Sequence, residues 1–365
     1  MNVNEFKDRL RAGKLSRRQV NGALGAAGLS AVAMPLSQAR AATDLTLFEW
    51  NGYELPEFHP EFTAKYGSEP AVSFFAEEEE ALQKMRAGFN VDLSHPCTAS
   101  VSRWRDAGII KPIDTSRIAR WDEIIPDLFK PKGLIHEGQN YFMPWDFGYS
   151  AIGYNPAIID VTDPSFDIMI DPKYAGRVSM NGQIDVAVAV GGVIGGFANP
   201  FDPSDAEMTE LEGIWRQLLE NSRFVWSDVS EYEQAFASGE IGAAYIWTSS
   251  IAALGAQGIE LVPVAPILPW VCGFAINNDG PGSEQQAYDY LNAMLDPEGG
   301  AALIELYGYG HANRNSYALV DPEVLKANGL TDPVGLLNSG IFFDEIPQAK
   351  RERLITMWDQ IQAGM

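Results

Sequence analysis

Only two cysteines, Cys97 and Cys272, occur in 365 residues, and only four histidines, at positions 59, 95, 136 and 311. No His-x-x-x-His or Cys-x-x-Cys spacing exists, so neither a metal site nor a cofactor is expected. Positive charge is scarce as well: 26 lysines and arginines stand against 49 acids. Seven of those bases and two of those acids fall in residues 1–41, which leaves 19 bases, 47 acids and a net charge of −28. Such a field repels nucleic acid and anionic lipid, so neither is an expected partner. Ile184–Ala198 is apolar but falls short of the ~20 residues of a membrane span, and Gly191, Gly192, Gly195 and Gly196 break it. There is no Gly-x-Ser-x-Gly elbow, and His95 with Cys97 lacks a third orienting group, so an exported hydrolase is a weak alternative.

The first residues say where the chain works. Arg9, Arg11, Lys14, Arg17 and Arg18 precede the small apolar stretch Gly22–Met34, and Ala39-Arg40-Ala41 supplies a small-x-small cleavage pattern. That order predicts an export signal over residues 1–41 and a periplasmic protein that begins near Ala42. Ser16-Arg17-Arg18-Gln19-Val20 resembles the twin-arginine type of signal.

The remaining chain alternates strand-like and helix-like segments, which predicts an α/β protein too long for one compact core. Strands are expected at Leu45–Trp50, Ala71–Phe75, Val91–Ser94, Tyr141–Tyr154, Arg177–Met180, Phe224–Trp226, Ala243–Trp247, Leu261–Ala265 and Val271–Ile276. Helices are expected at Pro56–Tyr66, Glu77–Ala87, Val101–Ala107, Asp185–Phe197, Asp205–Asn221 behind a Ser204 cap, Glu284–Leu295, Pro297–Tyr307 and Pro347–Ala363. The run Glu77-Glu78-Glu79-Glu80 reads as a solvated first helical turn, where carboxylates favour the positive end of the dipole.

Several segments together carry a family likeness: Phe48-Glu49-Trp50-Asn51-Gly52-Tyr53, Asp92-Leu93-Ser94-His95-Pro96-Cys97, Met143-Pro144-Trp145 leading to Ala151-Ile152-Gly153-Tyr154-Asn155, Ile246-Trp247 and Tyr307-Gly308-Tyr309. In that order and spacing the chain resembles the periplasmic spermidine/putrescine-binding proteins, the substrate-binding components of ABC importers. The resemblance implies a two-lobed periplasmic binding protein fold (type II-like), with discontinuous lobes and a ligand cleft between them. Residues 44–149 with 270–317 form the expected first lobe, and 150–269 with 318–365 the second. It also implies a monomer that delivers a small-molecule ligand to a transmembrane permease.

On the positions that match, the resemblance places Trp50, Tyr53, Cys97, Trp145, Asp185, Trp247, Trp270, Cys272 and Tyr309 against ligand. Most of the aromatics fall at or just after strand ends, where ligands of open α/β sheets bind and where ring faces attract ammonium groups. Trp104, Trp121, Trp215, Trp226 and Trp358 read as packing. The family's carboxylate anchors are only partly kept. Asp185 matches one, but Gly182 occupies another, Cys272 stands in place of an aspartate and Cys97 in place of a serine. The two cysteines either bridge along the cleft or remain buried thiols. Glu54, Asp146 and Asp344 could replace lost acids, and Arg314 could hold a ligand carboxylate. The expected ligand is therefore a small organic cation, polyamine-like, quaternary or zwitterionic. A ferric-ion binder of the same fold is the alternative, although Tyr307-x-Tyr309 is a poor substitute for adjacent tyrosine ligands.

Overall fold

Two long strands, running antiparallel through the middle of the molecule, organise everything else. The computed structural model describes residues 43–364. The export signal read over 1–41, with Arg17-Arg18 and the cleavage pattern at Ala41, lies outside them. The strands are β1 Thr46–Trp50, β2 Ala71–Phe75, β3 Leu93–Ser94, β4 Ile110–Lys111, β5 Ile135–His136, β6 Gln139–Asn140, β7 Met143–Tyr154, β8 Val178–Asn181, β9 Ser222–Trp226, β10 Ala243–Trp247, β11 Val262–Asn277 and β12 Gly310–His311. Ten of them share one sheet in the order β2-β1-β3-β11-β7-β10-β8-β9, with β4 beside β11 and β12 beside β7.

β7 and β11 pair from Val262 opposite Tyr154 to Phe274 opposite Met143. At one end Ile152, Tyr154, Val264 and Leu268 enter one apolar core; at the other Met143, Trp145, Phe147, Val271 and Phe274 enter a second. The sequence suggests two strands here, because Pro266 and Pro269 cannot donate to a ladder. A register shift between Val264 and Leu268 absorbs the irregularity, and one strand results. On one side of this pair β1 runs parallel to β2 and β3, and on the other β8 runs parallel to β9 and β10. The carboxyl ends of both parallel sets are the binding edges of open α/β sheets. Trp50, Trp247 and the segments leading to Cys97 and Asp185 all lie there.

Helices cover the sheet where apolar residues recur at three and four. Asp205–Asn221 buries Met208, Leu211, Trp215 and Leu218, and Ser204 caps it in a reciprocal box with Glu207. The expected helix over 56–66 is divided: a short turn ends at Phe58, and Pro60 starts a new helix to Tyr66. Val320, Leu330 and Leu337 pack in the first core, although the sequence pattern puts residues after 317 with the second lobe; Ile346, Leu354, Trp358 and Ile361 join the second core. Cys97 and Cys272 are joined as a disulfide that ties the segment after β3 to β11. Of the two readings left open for them, the bridge holds and the free thiols do not.

Candidate functional site

Five rings make a continuous edge-to-face row across the binding edges. Trp247 meets Trp270 with centroids 6.1 Å apart and Trp270 meets Tyr309 at 4.9 Å. Tyr309 then meets Tyr307 at 6.2 Å, and Tyr307 meets Tyr53 at 5.5 Å. Trp247 packs against the second core, while Tyr53 and Tyr307 pack against the first, so the row spans both lobes. The Tyr309 hydroxyl donates to Ser249 Oγ at 3.1 Å, a bond from the segment after one lobe's helix to the opposite lobe. T-shaped rings at these separations touch. Two cavities, of about 180 Å³ beside Asp205 and Arg353 and about 40 Å³ beside Phe89 and Asn277, lie away from the row.

Local geometry explains why these residues stand here. Gly52 follows β1 with φ +99°, a conformation that favours glycine, and its carbonyl accepts from the Tyr307 hydroxyl. That turn aims Tyr53 back over the sheet. Gly148 gives Trp270 its place: an added Cβ would lie 2.6 Å from Trp270 Cζ2 and 3.1 Å from Tyr309 Cδ1. Gly148→Ala should therefore cost about 1–3 kcal/mol of stability and alter the near-ultraviolet signal of the tryptophans. Urea unfolding and circular dichroism check this, and an unchanged spectrum would count against a positioning role.

Beneath the row lies a buried charge cluster. His95, fully buried, has Nδ1 bonded to Glu49 Oε1 and Nε2 3.2 Å from Asp146 Oδ1. Tyr53 donates its hydroxyl to Asp146 Oδ2 at 3.1 Å, which links the cluster to the row. Burial alone would lower the His95 pKa, but Glu49 and Asp146 outweigh it and push it up to about 10. Burial raises the Glu49 pKa, with His95 opposing. His95 thus engages a carboxylate on each ring nitrogen beneath the aromatic wall. His311, by contrast, is held near pKa 4 by burial and stays neutral, bonded to Ser316 and the Met294 carbonyl.

The structure gathers Tyr53, Trp247, Trp270 and Tyr309 from the sequence-derived site residues and sets the Cys97–Cys272 disulfide beside them. Trp145, which the resemblance places against ligand, has its ring fully buried in the first core against Tyr53, Phe58 and His95. Trp50 stands at the edge of the same core with its ring on Phe75. Asp185 is already engaged, both oxygens accepting from Arg351. Of the substitute acids, Asp146 sits in the buried cluster, Glu54 accepts from the Gly52 amide, and Asp344 pairs with Lys132. Arg314 donates to the Asp122 carbonyl at the surface. Half of the acidic run departs from the solvated reading: Glu78 accepts from the Cys97 amide and Glu79 from Arg103. Tyr307 and Ser249 were not singled out as site residues; the spacing Tyr307-x-Tyr309 was the available signal.

Two α/β halves joined by β7 and β11, with an aromatic wall at the carboxyl ends of both parallel sets, define a two-lobed ligand-binding protein. The chain belongs to the bacterial extracellular solute-binding protein family, whose pattern matches residues 59–331. It is thus a solute binder rather than an enzyme. It is 24% identical to the putrescine-binding periplasmic protein of Escherichia coli, over 96% of this chain and 99% of that one. It is 26% identical to a putrescine/cadaverine-binding protein of Pseudomonas aeruginosa, over 79% and 84% of the two chains. In fold it matches a spermidine/putrescine substrate-binding protein of Streptococcus pneumoniae with a TM-score of 0.72 and 17% identity, covering 88% of this chain and 99% of that one.

Proposed function

We propose that this protein is the periplasmic substrate-binding component of an ABC importer, a monomer that captures a small organic ammonium compound and delivers it to a membrane permease. The first lobe would comprise about 44–149 and 270–340, and the second about 150–269 and 341–365. The observation that carries the ligand class is the row Trp247, Trp270, Tyr309, Tyr307 and Tyr53 standing over the Glu49–His95–Asp146 cluster. Ring faces hold a cation that cannot donate hydrogen bonds. The Trp270 indole N–H has no partner among the described residues. The core indoles of Trp104, Trp145 and Trp226 share that lack, and Trp270 differs in standing in the row, where an acceptor on a zwitterion or a hydroxylated quaternary amine would fit it.

Calorimetric screening against betaines, choline-like cations, amino acids and diamines tests the reading. Trp247→Ala should weaken the best ligand by about 1–3 kcal/mol while melting of the unliganded protein changes less, because Trp247 is only partly buried. Equal loss of fold and binding would make Trp247 a packing residue instead. Absence of any bound cation from the screen would overturn the ligand class.

A further inference from the structure

Beyond the disulfide from the aromatic row, charges of both signs from both lobes converge. Arg351, 3% exposed on the helix Gln348–Gln362, donates Nη1 to Asp185 Oδ1 at 2.5 Å and Nη2 to Oδ2 at 2.9 Å. Its Nε lies 3.5 Å from Glu79 Oε2. Glu79 belongs to the helix Glu78–Arg86 on the first core and also accepts from Arg103 Nη1 at 2.7 Å. Its neighbour Glu78 accepts the Cys97 amide at 2.7 Å, so the cluster abuts the disulfide, and Trp270 is two residues from Cys272. Asp185 opens the helix Ile184–Ile194 just after β8, at a binding edge of the second parallel set.

We propose that Arg351 is a resident counter-cation whose guanidinium occupies Asp185 and Glu79 at the binding edge after β8 and restricts the ligand to one cationic end. The inference rests on the solute-binding reading above and narrows its substrate class to monocations and zwitterions, excluding diamines. Three features carry it. The planar bidentate pair takes both Asp185 oxygens in the geometry a guanidinium fits best. The guanidinium is tethered to a helix whose Leu354 and Trp358 are sunk in the second core, so it competes with a free ammonium as an intramolecular partner. Arg351 also sets its Nε 3.5 Å from Glu79 on the first core, bridging the two lobes, and with Arg103 it presents like charge to a second ammonium there.

The test compares 1,4-diaminobutane with n-butylamine by calorimetry and thermal shift on the unmodified chain, on Arg351→Gln and on Arg351→Gln with Asp185→Asn. The unmodified chain should bind the diamine no better than the monoamine. Arg351→Gln should gain diamine affinity on the order of a hundredfold, with no gain for the monoamine, and the double variant should lose that gain. Should Arg351→Gln fold poorly, the diamine and not the monoamine should restore its melting temperature. Equal diamine affinity with and without Arg351, or an Arg351→Gln chain that neither gains affinity nor is stabilised by the diamine, would overturn the proposal. A chain that binds no cation in the wider screen would overturn the ligand class above instead, and the diamine gain is scored independently of it.

Discussion

Replacing His95 with glutamine should cost the fold about 3–5 kcal/mol at neutral pH, the usual range for removing one partner of a buried charge group. Glu49, His95 and Asp146 are each at most 1% exposed. The His95 ring bonds Glu49 through one nitrogen and Asp146 through the other, so it joins both acids in this interior. Glutamine keeps much of the volume and some hydrogen bonding, but it leaves Glu49 and Asp146 without compensation. Glu49 Oε2 has no hydrogen-bond partner among the described residues, and no other cation among them contacts the two acids there to replace the histidine. Urea unfolding at pH 7 measures the difference. A loss under about 1 kcal/mol, the size of an ordinary neutral hydrogen bond, would mean that His95 is not charged.

The sign of the pH dependence separates this histidine from its neighbour. The His95 pKa rises on folding from 6.5 to about 10, so its stabilisation is complete below pH 6.5, declines above it and is gone once pH passes about 10. The His311 pKa falls from 6.5 to about 4, so its neutral form favours the fold above pH 6.5, and that contribution is lost as pH falls through about 4. Melting temperature should therefore fall on both sides of neutrality. His95→Gln should flatten the alkaline side and leave the acidic side in place. A variant that changes both sides alike would place the cause elsewhere.

Periodic segments were the legible part of this fold. Ala71–Phe75, Asp205–Asn221 and Pro297–Tyr307 stand at the positions their patterns predict, and Ser204 caps its helix. The helices Val229–Ala237, Thr248–Gly255, Pro322–Ala327 and Pro333–Asn338 were not evident. The last two have six residues each, too short to show a face. In the site, aromatics at strand ends were readable because carboxyl ends of parallel strands are shared binding edges. Burial at a given alternation was not: Trp145 points into the first core, while Trp270, on the partner strand, joins the row. Charge partners were hidden for a different reason. Arg351 lies 166 residues from Asp185, and Asp146 lies 51 from His95, separations at which no local pattern exists.

Reducing the Cys97–Cys272 bond should lower stability by roughly 4–5 kcal/mol in the chain-entropy account of disulfides, while ligand affinity at moderate temperature stays within a few-fold. The bond spans 175 residues of sequence, so its removal chiefly frees the unfolded chain. In the folded state other contacts hold the same strand ends. The Cys97 amide donates to Glu78, the Gly273 amide donates to the Pro96 carbonyl at 3.1 Å, and the Asn277 amide donates to the Asp92 carbonyl at 2.9 Å. The Gly273–Pro96 bond keeps the segment after β3 against β11 without the sulfurs, and the other two hold its flanks, so the aromatic row beside them keeps its shape. Thiol titration of denatured, unreduced protein should find no free thiol, and two should appear after reduction. Two thiols before reduction would remove the bridge altogether. An affinity that collapses together with stability would instead mean that the disulfide shapes the ligand wall directly, and that the amide contacts across this part of the cleft are too weak to hold it.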